Sequence, residues 1–360
     1  MLLFYTIPYL FVFFAVVIYH SAKPHDAKGI CLFTFFFLSC FAGFSYDVGW
    51  DYIPYIESMK NGNVERYEFL ERLLIEFCVK TNNLQLFFIV NHFAISGLIA
   101  LTIKKATKEP YLALLAYLSL PFMYLFAFST IRAALVMAIT IFAYEYMLKD
   151  GKWVRFVALI IVGFFIHNVS LIGLLLLPLH YINFGRIFNI AIIIVSYAII
   201  LSNIIVEIPF MNSISALEET NERYLFYTES GGNIGGQSMI HVVYLLLIIA
   251  NLFYYKRISQ ILPSAPKYIL FVSVGYCLHL LFQYNPVFSS RFSRSFYAFE
   301  LLIVPSYVTI LGKKNMRMIR DALLFMFLAL FVYQLCLHNY NGFDKDRIST
   351  YLPYRLFFLQ

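Results

Sequence analysis

Charge is scarce in this chain. Only 13% of its 360 residues are Asp, Glu, Lys or Arg, about half the share of an ordinary soluble domain. That poverty, with a mean hydropathy of +0.75, excludes a water-soluble globular fold. Cysteine is sparse as well: Cys31, Cys40, Cys78, Cys277 and Cys336, of which Cys78 alone falls in a long polar loop. Their spacing makes neither a disulfide framework nor a metal-ligand set. The chain has no His-Glu-x-x-His, no Walker loop and no Gly-rich dinucleotide fingerprint, so zinc hydrolysis and dinucleotide chemistry lack their signatures. Internal repeats are absent, which weighs against transporters built from two similar halves. One Asp-x-Asp occurs, Asp344-Lys345-Asp346, and the topology below places it outside, where nucleotide sugars do not reach; it reads as solvated tail.

What the chain has in abundance is apolar length. Hydrophobic residues make up 61% and aromatics 19%, and several runs exceed the roughly 18 residues that read as a spanning helix. The predicted spans are 2–19, 29–45, 84–103, 111–128, 130–148, 187–205, 238–254, 268–284, 295–311 and 321–337. The first lacks a basic leader and a cleavage site and reads as a retained span. The expectation is an all-α polytopic membrane protein, one transmembrane domain over 1–360, with about ten full spans.

Basic residues sort the connections by side. Lys23 and Lys28, Lys104, Lys105 and Lys108, Lys149, Lys152 and Arg155, Lys256, Arg257 and Lys267, and Lys313, Lys314, Arg317 and Arg320 all lie in short connections. The positive-inside rule makes these cytoplasmic. The net charge of +7 then reflects a basic inner face and not nucleic-acid binding. With Lys152 and Lys256 both inside, the 26-residue apolar run 154–179 must leave and return on the same side. It is too short for two spans of about 20 residues. It is predicted to be a short-armed helical hairpin, 154–165 and 168–179, with His167-Asn168 at its tip; one ordinary span with a miscounted helix elsewhere is the alternative. Two outer loops are long. Loop 46–83 carries Asp47, Gly49, Asp51, Tyr55, Glu68, Glu71 and Arg72, and its Tyr67–Phe77 stretch has an amphipathic helical period suited to a membrane interface. Loop 206–237 is acidic, then glycine-rich, and reads as a gate over an outer cavity.

Against this background the ionisable residues in or beside apolar runs stand out, because each is expensive in lipid. Arg132 heads a span at the outer face. It is either a snorkelling anchor or an anion site, where a guanidinium and a helix N-terminus meet phosphate. Arg291 and Arg294 head another span on the same side, and with Arg223 in the second loop they make a candidate pyrophosphate clamp. His167 is either a hydrogen-bonded packing residue or a general base. Asp51 and Glu68 are rival bases, or solvated loop acids. Most aromatics suit lipid; some would stack on sugars.

Read in order, these motifs resemble the EpsG-like, Wzy-type bacterial surface polysaccharide (O-antigen) polymerases. Gly49-Trp50-Asp51-Tyr52-Ile53-Pro54-Tyr55 is similar to that family's early outer-loop pattern. Glu68-Phe69-Leu70-Glu71-Arg72 resembles its Glu-Pro-led segment, with Phe69 in place of proline. Ile131-Arg132 with Ala133 and Ala138 resembles its Ile-Arg-led helix, and Ile166-His167-Asn168-Val169-Ser170 its Phe-His-x-Ser hairpin motif. Arg291 and the late Pro353-Tyr354 have counterparts too, whereas Tyr46 stands where the family often has a basic residue. The resemblance implies a glycosyltransferase that joins undecaprenyl-pyrophosphate-linked oligosaccharide repeat units, facing outward from the bacterial inner membrane, in O-antigen (lipopolysaccharide) or capsule and exopolysaccharide synthesis. It implies no cofactor, no metal and no nucleic acid; its partners would be membrane lipid, a chain-length regulator and a flippase. It makes His167 and Asp51 the catalytic candidates, and Arg132, Arg291, Arg294, Arg223, Glu68 and Tyr55 the pyrophosphate- and glycan-binding ones. A membrane O-acyltransferase of surface glycans and a lipid-linked oligosaccharide flippase are the rival functions.

Overall fold

A computed structural model of the chain describes residues 2–22, 26–202, 235–283, 285–311, 316–337 and 349–359. Residues 206–234 of the loop 206–237, with Arg223, and Asp344–Asp346 lie outside the described residues. Regular structure is helical throughout, and among the described residues no strand forms. In chain order the helices are α1 (Leu2–Ala22), α2 (Ala27–Gly43), α3 (Tyr52–Lys60), α4 (Phe69–Lys80), α5 (Gln85–Ala106), α6 (Pro110–Ser119), α7 (Tyr124–Ala127), α8 (Ile131–Leu148), α9 (Trp153–Phe164), α10 (Leu176–Tyr181), α11 (Arg186–Leu201), α12 (Gly235–Phe253), α13 (Tyr255–Ile261), α14 (Ala265–Leu281), α15 (Pro286–Tyr297), α16 (Glu300–Leu311) and α17 (Met316–Leu337).

Two of these, α5 and α8, are each long and apolar enough to cross a membrane; α12 and α13, bent by 76° at Tyr254, would make a third if they form one span. Most other apolar runs form shorter apolar helices of 10–17 residues. The run 111–128 illustrates why. Pro121 offers no N–H to a helix, and the chain breaks between α6 and α7, with Phe122 at φ 65°. The break is sealed inside protein: Leu120, Phe122 and Met123 are at most 2% exposed. Irregular backbone at membrane depth is tolerated in such a setting. The run 295–311 likewise breaks after Tyr297, and its first residues belong to α15, which begins at Pro286.

The helices gather into two compact units, residues 1–180 with 300–360, and residues 181–299. In the first, α5 packs on α8 and on the end of α2, and α16 packs on α6. Helix α8 is mainly apolar, Arg132 and Glu145 apart, and buried on nearly all sides, as a helix at the centre of a bundle is. The turn at His167-Asn168 is present. The 3-10 segment Asn168–Leu175 folds back on α9, and Ser170 Oγ donates to the Ile160 carbonyl at 2.7 Å. Gly163 permits the crossing, since a Cβ there would lie 2.4 Å from Ser170 Oγ.

The late segment 349–359 is strapped to the start of the first outer loop. Gly49 N–H donates to the Thr350 carbonyl, Tyr46 N–H to Arg355 and Phe357 N–H to Phe44. Tyr354 stacks on Phe41 at 4.2 Å and donates to its carbonyl. In the second unit α14 is central, packed by α11, α12, α13 and α15.

Candidate functional site

Helix α4 places the site's acids. Glu68 precedes its first turn in extended conformation, and Glu71, Ile75 and Cys78 follow on the buried side. Phe69, Leu73 and Phe77, four residues apart, lie on the opposite side and are about half exposed. The helix is therefore amphipathic as its period predicts, but its inward face carries carboxylates. The backbone of this entry is pinned to the hairpin, Leu70 N–H donating to the Phe165 carbonyl at 2.8 Å.

Glu68 is the hub. Its Oε2 accepts from Arg132 Nη1. Its Oε1 lies 2.9 Å from His167 Nδ1 and accepts the Asn168 N–H at 3.2 Å. Arg132 Nε donates to the Tyr55 hydroxyl at 2.6 Å, and its guanidinium sits over the Tyr67 ring, 5.0 Å from the centroid. Tyr55 and Tyr67 stack on one another. Three separate segments, α3–α4, the start of α8 and the hairpin tip, thus converge on one carboxylate. His167 is 5% exposed, while the Arg132 and Glu68 side chains are 19% and 21% exposed. The cluster is sheltered yet reachable.

Electrostatics separates the two acids. Burial pushes the Glu68 carboxyl up, but the hydrogen bond with His167 and the charge of Arg132 outweigh it and hold the group at about 2. Glu71 is 3% exposed. Burial raises it to about 7, against the opposing pull of Arg132 and a hydrogen bond from Asn91. At neutral pH Glu68 is a firm carboxylate, and Glu71 stands near its midpoint.

The remaining predicted residues are placed as follows. Asp51 sits at the N-terminus of α3 and its carbonyl accepts from Tyr55 N–H, so it adjoins the cluster through Tyr55. The turn before it rests on the residues leading to Arg132: Trp50 N–H donates to Ser129 Oγ at 3.2 Å. Gly49, at φ +89°, would put a Cβ 2.1 Å from the Phe128 carbonyl oxygen, so that approach requires glycine. Arg291 and Arg294 lie on α15 in the second unit, Arg291 partly exposed and Arg294 1% exposed. Tyr67 and Glu71 enter the reading of the sequence as part of the first outer loop and its amphipathic stretch, and not as site residues. The signal for Glu71 was its three-residue spacing from Glu68, one helical face. Tyr67 carried none beyond being aromatic. Among the described residues no three His, Cys, Asp or Glu side chains gather in a metal-binding group.

No curated protein and no solved structure matches the chain. A protein-family model, described as the EpsG family, matches residues 28–356. The matched range takes in the Glu68 hub, the start of α8, the hairpin and most of the late strap together, and the chain belongs to the EpsG family.

Proposed function

We propose that this membrane protein is a polysaccharide polymerase. Membership of the EpsG family points to polymerase-like glycosyl transfer in general; the specific reading is transfer of a growing glycan from polyprenyl pyrophosphate to a lipid-linked repeat unit at the outer face of the bacterial inner membrane. In this reading the chain crosses the bilayer about ten times, and the α3–α4 region lies outside.

The observation that carries it is the Glu68 carboxylate shared between Arg132 and His167. A carboxylate on Nδ1 orients an imidazole and stabilises its protonated form, which leaves Nε2 as the atom that takes a proton. In the reaction, the acceptor sugar's hydroxyl oxygen attacks the donor's anomeric carbon, and the bond from that carbon to pyrophosphate oxygen breaks. The hydroxyl proton passes to His167, and polyprenyl pyrophosphate leaves with the bonding electrons. Arg132, backed by Tyr55 and Tyr67, meets the charge that develops on the leaving group. Asp51 serves to hold the acceptor beside Tyr55.

The test is the length distribution of surface polysaccharide in cells whose copy of the gene is deleted and then restored with variants. Loss of the long ladder, with a core bearing one repeat unit retained, supports the polymerase. Loss of every repeat, with lipid-linked units trapped inside, means a flippase. A full ladder lacking only acyl groups means an acyltransferase.

A further inference from the structure

The second unit contains an apolar slot with no place in the chemistry above. Its walls are the first half of α11 and the last half of α12, through Ile190, Ile194, Leu245, Ile249 and Phe253, around a cavity of about 310 Å³ that Arg186 also lines. The walls are open sideways: Ile194, Ile249 and Phe253 are 53–70% exposed.

Basic residues collect at one end of this slot. Arg186 is the first residue of α11. Lys267, in the first turn of α14, donates from Nζ to the Ile182 carbonyl at 2.7 Å, so α14 begins beside the start of α11. Helix α13 meets α14 through the short Leu262–Ser264 turn, and it follows directly on α12. Leu252 and Phe253, at the end of α12, line the same cavity as Arg186, and α13 turns away there by 76°, carrying Lys256 and Arg257 exposed. Nothing acidic in the neighbouring chain offsets these four cations: no Asp or Glu occurs from Gly151 to Val206 or from Ser230 to Phe299. The unit thus offers a hydrocarbon-lined groove ending in positive charge that no acid among its described residues offsets, on the side that the basic connections assign to the cytoplasm.

We propose that this slot binds an anionic phospholipid of the cytoplasmic leaflet, an acyl chain between α11 and α12 and the phosphate headgroup on Arg186, Lys256, Arg257 and Lys267. Basic residues at membrane level attract anionic headgroups, and a guanidinium suits a phosphodiester in particular. The inference rests on the membrane reading of the fold and is independent of the polymerase chemistry, because the headgroup end is cytoplasmic and the proposed transfer is external.

Native mass spectrometry of the full chain, purified in mild detergent and stripped of lipid, tests it. Phosphatidylglycerol is expected to bind about tenfold or more tightly than phosphatidylcholine of the same chain length. In the variant carrying Arg186→Gln, Lys256→Gln, Arg257→Gln and Lys267→Gln the ratio should fall to about one. These side chains are at the surface, and an unchanged melting temperature checks that the variant is folded. A phosphatidylglycerol with a photoreactive acyl chain should label peptides of α11 and α12, and Ile194→Trp, which fills the slot, should abolish that labelling. Equal binding of the two lipids, an unchanged ratio in the fourfold variant, or labelling mainly elsewhere overturns the proposal. So does polyprenyl phosphate displacing phosphatidylglycerol from the slot, since the groove then belongs to a substrate chain.

Discussion

Glu68 receives Arg132, His167 and the Asn168 N–H, whereas Oε2 of Glu71, one turn on, is buried and meets no hydrogen-bond partner among the described residues. The two acids should answer pH in opposite senses. Glu68 is held below its unfolded value, so its stabilisation is complete above about pH 4.5 and is lost as pH falls toward 2. Glu71 is held above its unfolded value, so the fold loses stability as pH rises from about 4.5 to 7. Glu71→Gln should therefore raise the melting temperature at pH 8, by an amount equivalent to about 1–3 kcal/mol, and leave it nearly unchanged at pH 4.5. An equal gain at both pH values would remove the carboxyl's ionisation as the cause. Glu68→Gln should act differently. It deprives Arg132 of its counter-charge and His167 of its orienting group, and polymer formation should fall about 10²–10⁴-fold with membrane abundance reduced as well. Arg132→Ala and His167→Ala should each reduce ladder synthesis at least about 100-fold while the protein remains in the membrane; a normal ladder in either removes that residue from the chemistry. Arg132 and His167 were legible in the sequence because ionisable groups beside apolar runs are conspicuous. Glu68 was also singled out, as a rival base and a binding candidate, but not as the partner of both, since it lies 64 and 99 positions from them, and contact at such range follows from packing and not from local pattern.

At the scale of elements, the hairpin depends on small residues where its arms cross. Gly163 faces Ser170, and Gly173 lies against Thr140 and Ile160. Gly163→Val should force the arms apart, moving His167 off Glu68. The expected cost is about 1–3 kcal/mol, as for overpacking elsewhere, read as a lower melting temperature together with loss of activity. The hairpin could be foreseen from run length and the parity of basic connections. The breaks in 111–128 and 295–311 could not, because an apolar run looks continuous whether the backbone is helical or sealed irregularly inside protein. Helix α15 was hidden for the converse reason: Ser289, Ser290, Ser293 and Ser295 give it the look of a loop, while two of the hydroxyls are taken up by backbone, Ser289 by the His279 carbonyl and Ser293 by the Ser289 carbonyl. Polar side chains that satisfy themselves within a helix bundle conceal the helix from hydropathy.

For the whole molecule, the claim most open to measurement is which side each connection faces. In spheroplasts of a variant lacking the native cysteines, Asn61→Cys should react with an impermeant maleimide added outside. Lys152→Cys should react only after permeabilisation; the reverse pattern would invert the topology and place the Glu68 cluster in the cytoplasm. The strap of residues 349–359 bears on the same molecule in time. It holds Phe44, Tyr46 and Gly49 by their backbones, and Gly49 in turn seats the approach to Arg132. A chain still on the ribosome therefore carries its catalytic candidates into the membrane long before the clasp that sets them has been synthesised. Until then the Gly49 N–H that the Thr350 carbonyl receives has no such partner, and under the proposed function a prematurely terminated chain should build no polymer.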